Sequence, residues 1–517
     1  MLSFLQPKRN RRALALLLAA VLVLSPLSAL AGTYEIENGS ITVSNDGSGQ
    51  TVTQAGKYDN EPDAKPVITN RDPDTPSTNT VTLNAGAGAT VEVTIQDLHI
   101  DNSGDPDYEY DGGASFTTTG DVVIELDGDN TLTAGLHHAG LQKENGGTLT
   151  IQDENETAGS LTANGGEEGA GIGGGYKGDG TNITVSSGTV TAQGGNYGAG
   201  IGGGGFGNGT DITIEDGTVT ATGGVGGAGI GGGDGRDGAD ITISGDAQVT
   251  ATGGVGGAGI GGGGYGSGTD INITGGTVVA TGGSHAAGIG AGGGSKIVGS
   301  DITISGGTVV AVSTEVGAGI GGGSAGTAGD ITVSGDAQVS VAGGETYITN
   351  DYTRGPGAGI GDGGEQTNAA ADPIPGQEAA PNTDDLTKGH IDYYEAGTTA
   401  EQIQNKEATP TKTICGSQAH VAGTPQKENE VAGSCTVEGG YDMVTYCTRC
   451  GAKIATEHTN TGKVHSPGTP QKENVVTGSC TVEGGYDLVT YLPPVNQDGR
   501  PFLGASEDIN TLRTYAL

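Results

Sequence analysis

Tryptophan is absent from this chain, phenylalanine occurs 4 times in 517 residues, and aromatic residues make up 4 % of it. A core of interlocked large side chains is therefore excluded as the main source of stability. Basic residues are scarce as well, with 22 Lys and Arg against 61 Asp and Glu, a formal charge of −39. So acidic a surface repels nucleic acid and anionic lipid, and neither is an expected partner. Proline, at 18 residues, is too rare for a collagen despite 104 glycines. No long apolar run follows the N-terminal one, so no transmembrane span is expected in the mature chain.

What is present begins with an export signal. Lys8, Arg9, Arg11 and Arg12 precede the apolar run Ala13 to Leu24, Pro26 breaks it, and Ala29-Leu30-Ala31 supplies small residues before Gly32. Twelve apolar residues are too few to cross ~30 Å of hydrocarbon. Residues 1–31 are thus expected to be a cleaved signal peptide, and the protein to be secreted and extracellular. Cleavage takes the formal charge from −39 to −43.

Self-similarity then decides the fold class. The string A-G-I recurs with its isoleucine at Ile172, Ile201, Ile230, Ile260, Ile289, Ile320 and Ile360, mostly at spacings of 29 to 31. Each unit adds two short alternating strands, such as Asp211-Ile-Thr-Ile214 and Thr218-Val-Thr-Ala221. Period-two geometry puts the aliphatics of each on one side. One unit cannot bury so little apolar surface alone; stacked units place Ile over Ile and Val over Val. An all-β parallel solenoid follows, a right-handed β-helix of about 29 residues per coil, with Gly runs at corners where positive φ is needed. The expected boundaries are 32–363 for the β-helix, with a cap to about 120 and regular coils over 135–362. Residues 364–413, carrying four prolines, read as a linker. A second repeat of period 45 occupies 414–491: Gly423 to Asn429 returns as Gly468 to Asn474, and Gly433 to Tyr441 as Gly478 to Tyr486. Its second copy is truncated, and 492–517 is a tail.

Several residue groups could carry chemistry. Cys447 and Cys450, with Cys435 earlier and His458 or His465 after, could supply a Cys3His zinc site. A structural disulfide with odd thiols is the competing reading, which export favours. Asp105, Asp107, Glu109 and Asp111 alternate in the rhythm of a calcium loop but lack the final bidentate Glu; a solvated acidic loop is the alternative. The column Asp211, Asp240, Asp270, Asp301 and Asp330 stacks like charges that would seek cations or backbone N–H donors. Tyr176, Phe206 and Tyr265 stand at the tips of Gly corners, where they either stack on sugar faces or cover exposed backbone. An enzyme would need a local break in the repeat with charges that occur once. Between Ala170 and Ile360 the only cations are Lys177, Arg236, Lys296 and Arg354.

The stretch Gly120 to Ala134, the motif Ala139-Gly-Leu141, Gly147 to Ile151 and the G-A-G-I-G-G-G units resemble bacterial extracellular carbohydrate-binding β-helix proteins, which include calcium-using polygalacturonate binders. The glycine-rich arrays are also similar to those of Gram-positive surface adhesins. The resemblance implies a secreted or cell-surface, non-catalytic protein that binds a plant cell-wall or host polysaccharide, or a cell-surface partner, with calcium as a possible bridge. A passive stalk and a pectin-active enzyme are the alternatives.

Overall fold

A computed structural model describes residues 31–104, 112–144, 146–155, 157–294, 297–349, 351–368, 372–432, 438–462, 471–476 and 485–489, the last two stretches as backbone. The chain divides into two units, residues 1–418 and 419–517. Among the described residues no helix is long and apolar enough to cross a membrane.

The first unit is a parallel β-solenoid. One coil runs from Ile201-Gly202 through Gly209–Ile214 and Thr218–Thr222 to the next coil's Ile230-Gly231. Each of its three strands hydrogen-bonds to its counterpart one coil away, so three faces surround a narrow core. On the first face Ile41, Val81, Phe116, Leu141, Ile172, Ile201, Ile230, Ile260, Ile289, Ile320 and Ile360 stack in register. On the second, Val91, Val122 and Leu149 lead into Ile183, Ile212, Ile241, Ile271, Ile302 and Ile331. The third stacks Val190, Val219, Val249, Val278, Val309 and Val339. These columns are almost entirely buried. Each such side chain contributes about 1.5–3 kcal/mol, which replaces the large aromatic core that the composition excludes.

Backbones in the stack approach closely, and this explains the invariant Gly after each A-G-I isoleucine. Gly202 lies at φ +132°, and a Cβ there would sit 2.0 Å from the carbonyl oxygen of Gly231. A different corner is turned by one residue in the left-handed region: Asn182, Asp211, Asp240, Asp270 and Asp301, at φ between +53° and +55°. Asn and Asp tolerate that region better than other side-chain-bearing residues. The Asp column is therefore a geometric requirement of the corner, a role that the sequence reading did not assign to it. Its charges still repel: burial first, then Asp211 and Asp270, raise the Asp240 carboxyl above its ordinary range. The expected capping by carboxylates appears elsewhere, where Asp179 accepts the N–H of Asn208 at 2.7 Å and Asp237 that of Ser267 at 2.7 Å.

The ends differ from expectation. Parallel stacking begins ahead of the regular repeats, with Thr33–Glu35 on Val67–Thr69 and Ile41 on Val81, beside an antiparallel edge built from Gln50–Gln54 and Tyr58–Pro62. Residues 364–413, read as a linker, hold a further rung. His390–Tyr393 pairs in parallel with Gln338–Val341, and Lys412–Cys415 closes on it antiparallel. Leu386, Ile391, Tyr393 and Ile403 are buried there. The prolines punctuate loops between these pieces.

The second unit holds a three-stranded antiparallel sheet of Gln426–Val431, Gly439–Tyr446 and Lys453–Gly462. The period of 45 is visible in its pairing, since Gln426 faces Val444 just as Gln471 faces Val489.

Ile230→Asp places a carboxylate in the aliphatic column and is expected to remove at least ~3 kcal/mol of stability; circular-dichroism melting checks it, and unchanged melting would show that Ile230 does not face inward. Asp240→Asn keeps a residue suited to the corner and removes the repulsion. A raised folded-state carboxyl pKa makes the native Asp destabilising at neutral pH, and protonation relieves this as pH falls. The Asn variant should therefore melt above the parent at pH 7, with the gap closing below the carboxylate range.

A candidate ligand-binding ridge and a cysteine–histidine cluster

Two turns of each coil flank the first face, one before the A-G-I isoleucine and one after it. The turn after it carries a second left-handed column, occupied by Lys177 (φ +60°), Phe206 (+63°), Gly235 (+77°), Tyr265 (+63°) and Ala325 (+54°). Glycine fits this position without strain, as Gly235 demonstrates. A bulky ring there costs about 1 kcal/mol. Strain that persists at a solvent-facing position points to a use for the side chain.

The rings are exposed, Phe206 and Tyr265 despite that cost: Tyr176 is 37 %, Phe206 41 % and Tyr265 72 % accessible. Tyr176 and Phe206 lie edge to face with centroids 6.0 Å apart, and His137 continues the row at 5.1 Å from Tyr176. Phe206 lies beside Gly235 and Tyr265 beside Gly294, each a glycine of the next coil. The rings thus partly cover glycine backbone, yet Tyr265 leaves most of its surface to solvent.

The ridge also gathers cations. Lys177 Nζ sits 4.7 Å from the Tyr176 ring centre, and Arg236 Nε donates to the Phe206 carbonyl at 3.0 Å. Both line an open groove of about 550 Å³ with Tyr176 and Phe206. Arg354 lines a cleft of about 510 Å³ further along, with Tyr265, His285 and Asp234. Every described Lys and Arg between residues 170 and 360 therefore lies on this one ridge; Lys296 falls outside the described residues.

The cleft arises where the repeat breaks. The spacing of 40 between Ile320 and Ile360 accommodates the strands Tyr347–Ile348 and Tyr352–Arg354, which form a small antiparallel sheet with Gln366–Asn368 from beyond Ile360. Arg354 donates to Gln366 Oε1 at 3.2 Å and lies over the Tyr352 ring, while its buried Nε has no hydrogen-bond partner. Burial, then Arg354, pushes His285 below its ordinary pKa. Burial also raises the carboxyls of Asp234 and Glu315. The cleft is thus a partly desolvated place lined by an imidazole, a carboxyl group and a guanidinium.

In the second unit, Cys447 and Cys450 follow the strand Gly439–Tyr446 in a tight turn that Gly451 ends at φ +71°. The ligand atoms of Cys447, Cys450 and His420 lie within 4.8 Å of one another, with His420 Nδ1 3.5 Å from the Cys450 sulfur. The Val421 N–H donates to the Cys447 sulfur at 3.3 Å. Burial alone would raise the Cys447 thiol. Backbone N–H groups of Cys450, Arg449 and Val421, together with His420, outweigh it and bring the thiol down to about 5. None of the described cysteines forms a disulfide. Cys415 precedes His420 by five residues in the sequence, so the stretch carries a Cys3His donor set that could bind a metal such as zinc.

The structure thus unites Cys447 and Cys450 but brings His420 to them. His458 stands on the strand Lys453–Gly462 with its Nδ1 2.8 Å from Asp442 Oδ1. Cys435, His465 and the acidic group Asp105, Asp107, Glu109 and Asp111 lie outside the described residues. His420 was legible only through the period of 45, which aligns it with His465. The Arg354 cleft had a weaker signal, the single spacing of 40.

Tyr265→Gly should leave stability unchanged or raise it by up to about 1 kcal/mol, measured by denaturant unfolding; a loss of that size would make the ring a structural cover. Six stretches, 157–176, 183–205, 212–234, 241–264, 271–293 and 302–324, match the family model described as a beta helix repeat. No curated protein and no solved structure matches the chain. The matched stretches end at Tyr176 and one residue before Phe206 and Tyr265, so the chain is similar to beta helix repeats in its coils, and the ring-bearing tips fall at or beyond the edge of that likeness.

Proposed function

We propose that the protein is a secreted or cell-surface, non-catalytic binder of polysaccharide, and that the ridge of Tyr176, Phe206 and Tyr265 is its contact surface. The observation that carries this reading is the convergence of three exposed rings, two of them in the left-handed region, and the described solenoid cations on a single line parallel to the coil stack. Aromatic faces are suited to the C–H faces of sugar rings, while Lys177, Arg236 and Arg354 offer donors to hydroxyl or carboxylate oxygens. Tyr176 to Tyr265 spans three coils, or ~14 Å at ~4.8 Å per coil, which suits an extended chain better than a compact ligand. The unpaired Arg354 Nε adds a buried donor that a ligand oxygen would satisfy. The basic n-region and apolar run at the N-terminus support export.

A second reading, polysaccharide cleavage, is favoured by one observation: the repeat breaks once, and there a guanidinium, a neutral-leaning imidazole and raised carboxyls come together. Release of reducing ends or unsaturated products from pectin would select it.

The binding reading is tested on a glycan array with the mature protein, with and without calcium. Retention on at least one extended polysaccharide is expected, with Phe206→Gly and Tyr265→Gly each weakening it roughly tenfold without loss of folding. Retention on no sugar in either condition would defeat the proposal. Calcium-dependent retention would indicate bridging between acidic groups instead of direct contact with the ridge cations.

A further inference from the structure

The second unit poses a stability problem that its sequence composition does not solve. Over the described residues 419–462 the only buried side chains beyond glycine are Val444 and Cys447. One fully buried Val contributes about 1.5–3 kcal/mol, whereas ordering each backbone residue costs about 1–2 kcal/mol. A three-stranded sheet of this size therefore needs a cross-link, and small domains that lack a core obtain one from disulfides or a metal. A Cys447–Cys450 disulfide would close a loop of only a few residues and constrain the unfolded chain little. It would also leave His420 and the N–H groups around the Cys447 sulfur without a role.

We propose that His420, Cys447 and Cys450 hold a structural zinc ion that pins this unit. The arrangement supplies what zinc requires. Two sulfurs and an imidazole nitrogen lie within 4.8 Å of one another. The Cys447-Thr-Arg-Cys450-Gly451 turn is fixed by the Cys447 N–H donating to Ala452 O at 2.8 Å and the Gly451 N–H to Cys447 O at 2.9 Å. The segment bearing His420 is tied to the same turn, since the Thr448 N–H donates to Val421 O at 2.8 Å and the Gly423 N–H to Tyr446 O at 2.9 Å. Zinc would thus join the turn to the incoming strand, two pieces that apolar packing does not hold. A water molecule or a further donor would complete the tetrahedron. Binding displaces the thiol protons to solvent and leaves thiolate ligands. This set differs from the one the sequence spacing suggested: His420 stands in for His458, which is paired with Asp442.

The test uses the full mature chain, purified reduced and without chelator, with zinc measured by elemental analysis and cobalt substitution as a spectroscopic readout. About one zinc per chain is expected, with cobalt giving thiolate-to-metal charge transfer and the intense visible bands of a tetrahedral site. Cys447→Ser, Cys450→Ser and His420→Ala should each lower zinc affinity at least tenfold, while His458→Ala retains it. Chelation should open residues 419–462 to protease while the solenoid stays resistant, a readout that does not depend on any variant folding. Zinc below about a tenth of an equivalent in the reduced wild-type chain would overturn the proposal. So would loss of zinc in His458→Ala with retention in His420→Ala, or chelation that leaves the protease pattern unchanged.

Discussion

The solenoid depends on one constraint, that successive coils approach to hydrogen-bonding distance along their whole length with identical residues above each other. Buried isoleucines meet isoleucines, so any volume error would repeat in every rung. Gly202 and its equivalents exist because the neighbouring carbonyl occupies the place of a Cβ. The same closeness makes like charges stack, and the chain accepts repulsion in the Asp column because those residues turn a corner in the left-handed region. Short side chains, abundant glycine and few aromatics are one solution to one geometric demand.

Within such a repeat, freedom is confined to the turns. The strands tolerate little variation, but a turn tip can carry glycine in one coil and a ring in the next without disturbing the ladder. Phe206 and Tyr265 use that freedom at a conformational cost that Gly235 avoids. The insertion before Ile360 uses it further, folding a small sheet that supplies Arg354 to the cleft beside Tyr265 and His285. The chemistry of the solenoid is thus found where the repeat is least regular, and its stability where it is most regular.

The second unit follows the opposite logic. It has no column to stack on and almost no apolar interior among its described residues, so polar side chains, backbone pairing and the Cys–His cluster must define it.

The phase of the A-G-I isoleucines was enough to establish the solenoid, its three faces and its inward residues, because register in a stacked coil is a one-dimensional property written in the spacing. Tyr176, Phe206 and Tyr265 were visible for the same reason. The spacing could not show that Lys177, Arg236 and Arg354 share their ridge, since those residues sit at different offsets and meet only after the turns fold over. Nor could it show that residues 364–413 continue the stack, where prolines mask a rung whose pairing partner lies some fifty residues earlier. His420, rather than His458, joins Cys447 and Cys450 because strand pairing carries His458 to Asp442 and returns the incoming segment to the cysteine turn. Periodic contacts can be read along the chain; contacts between unlike segments are decided only by the space that folding leaves between them.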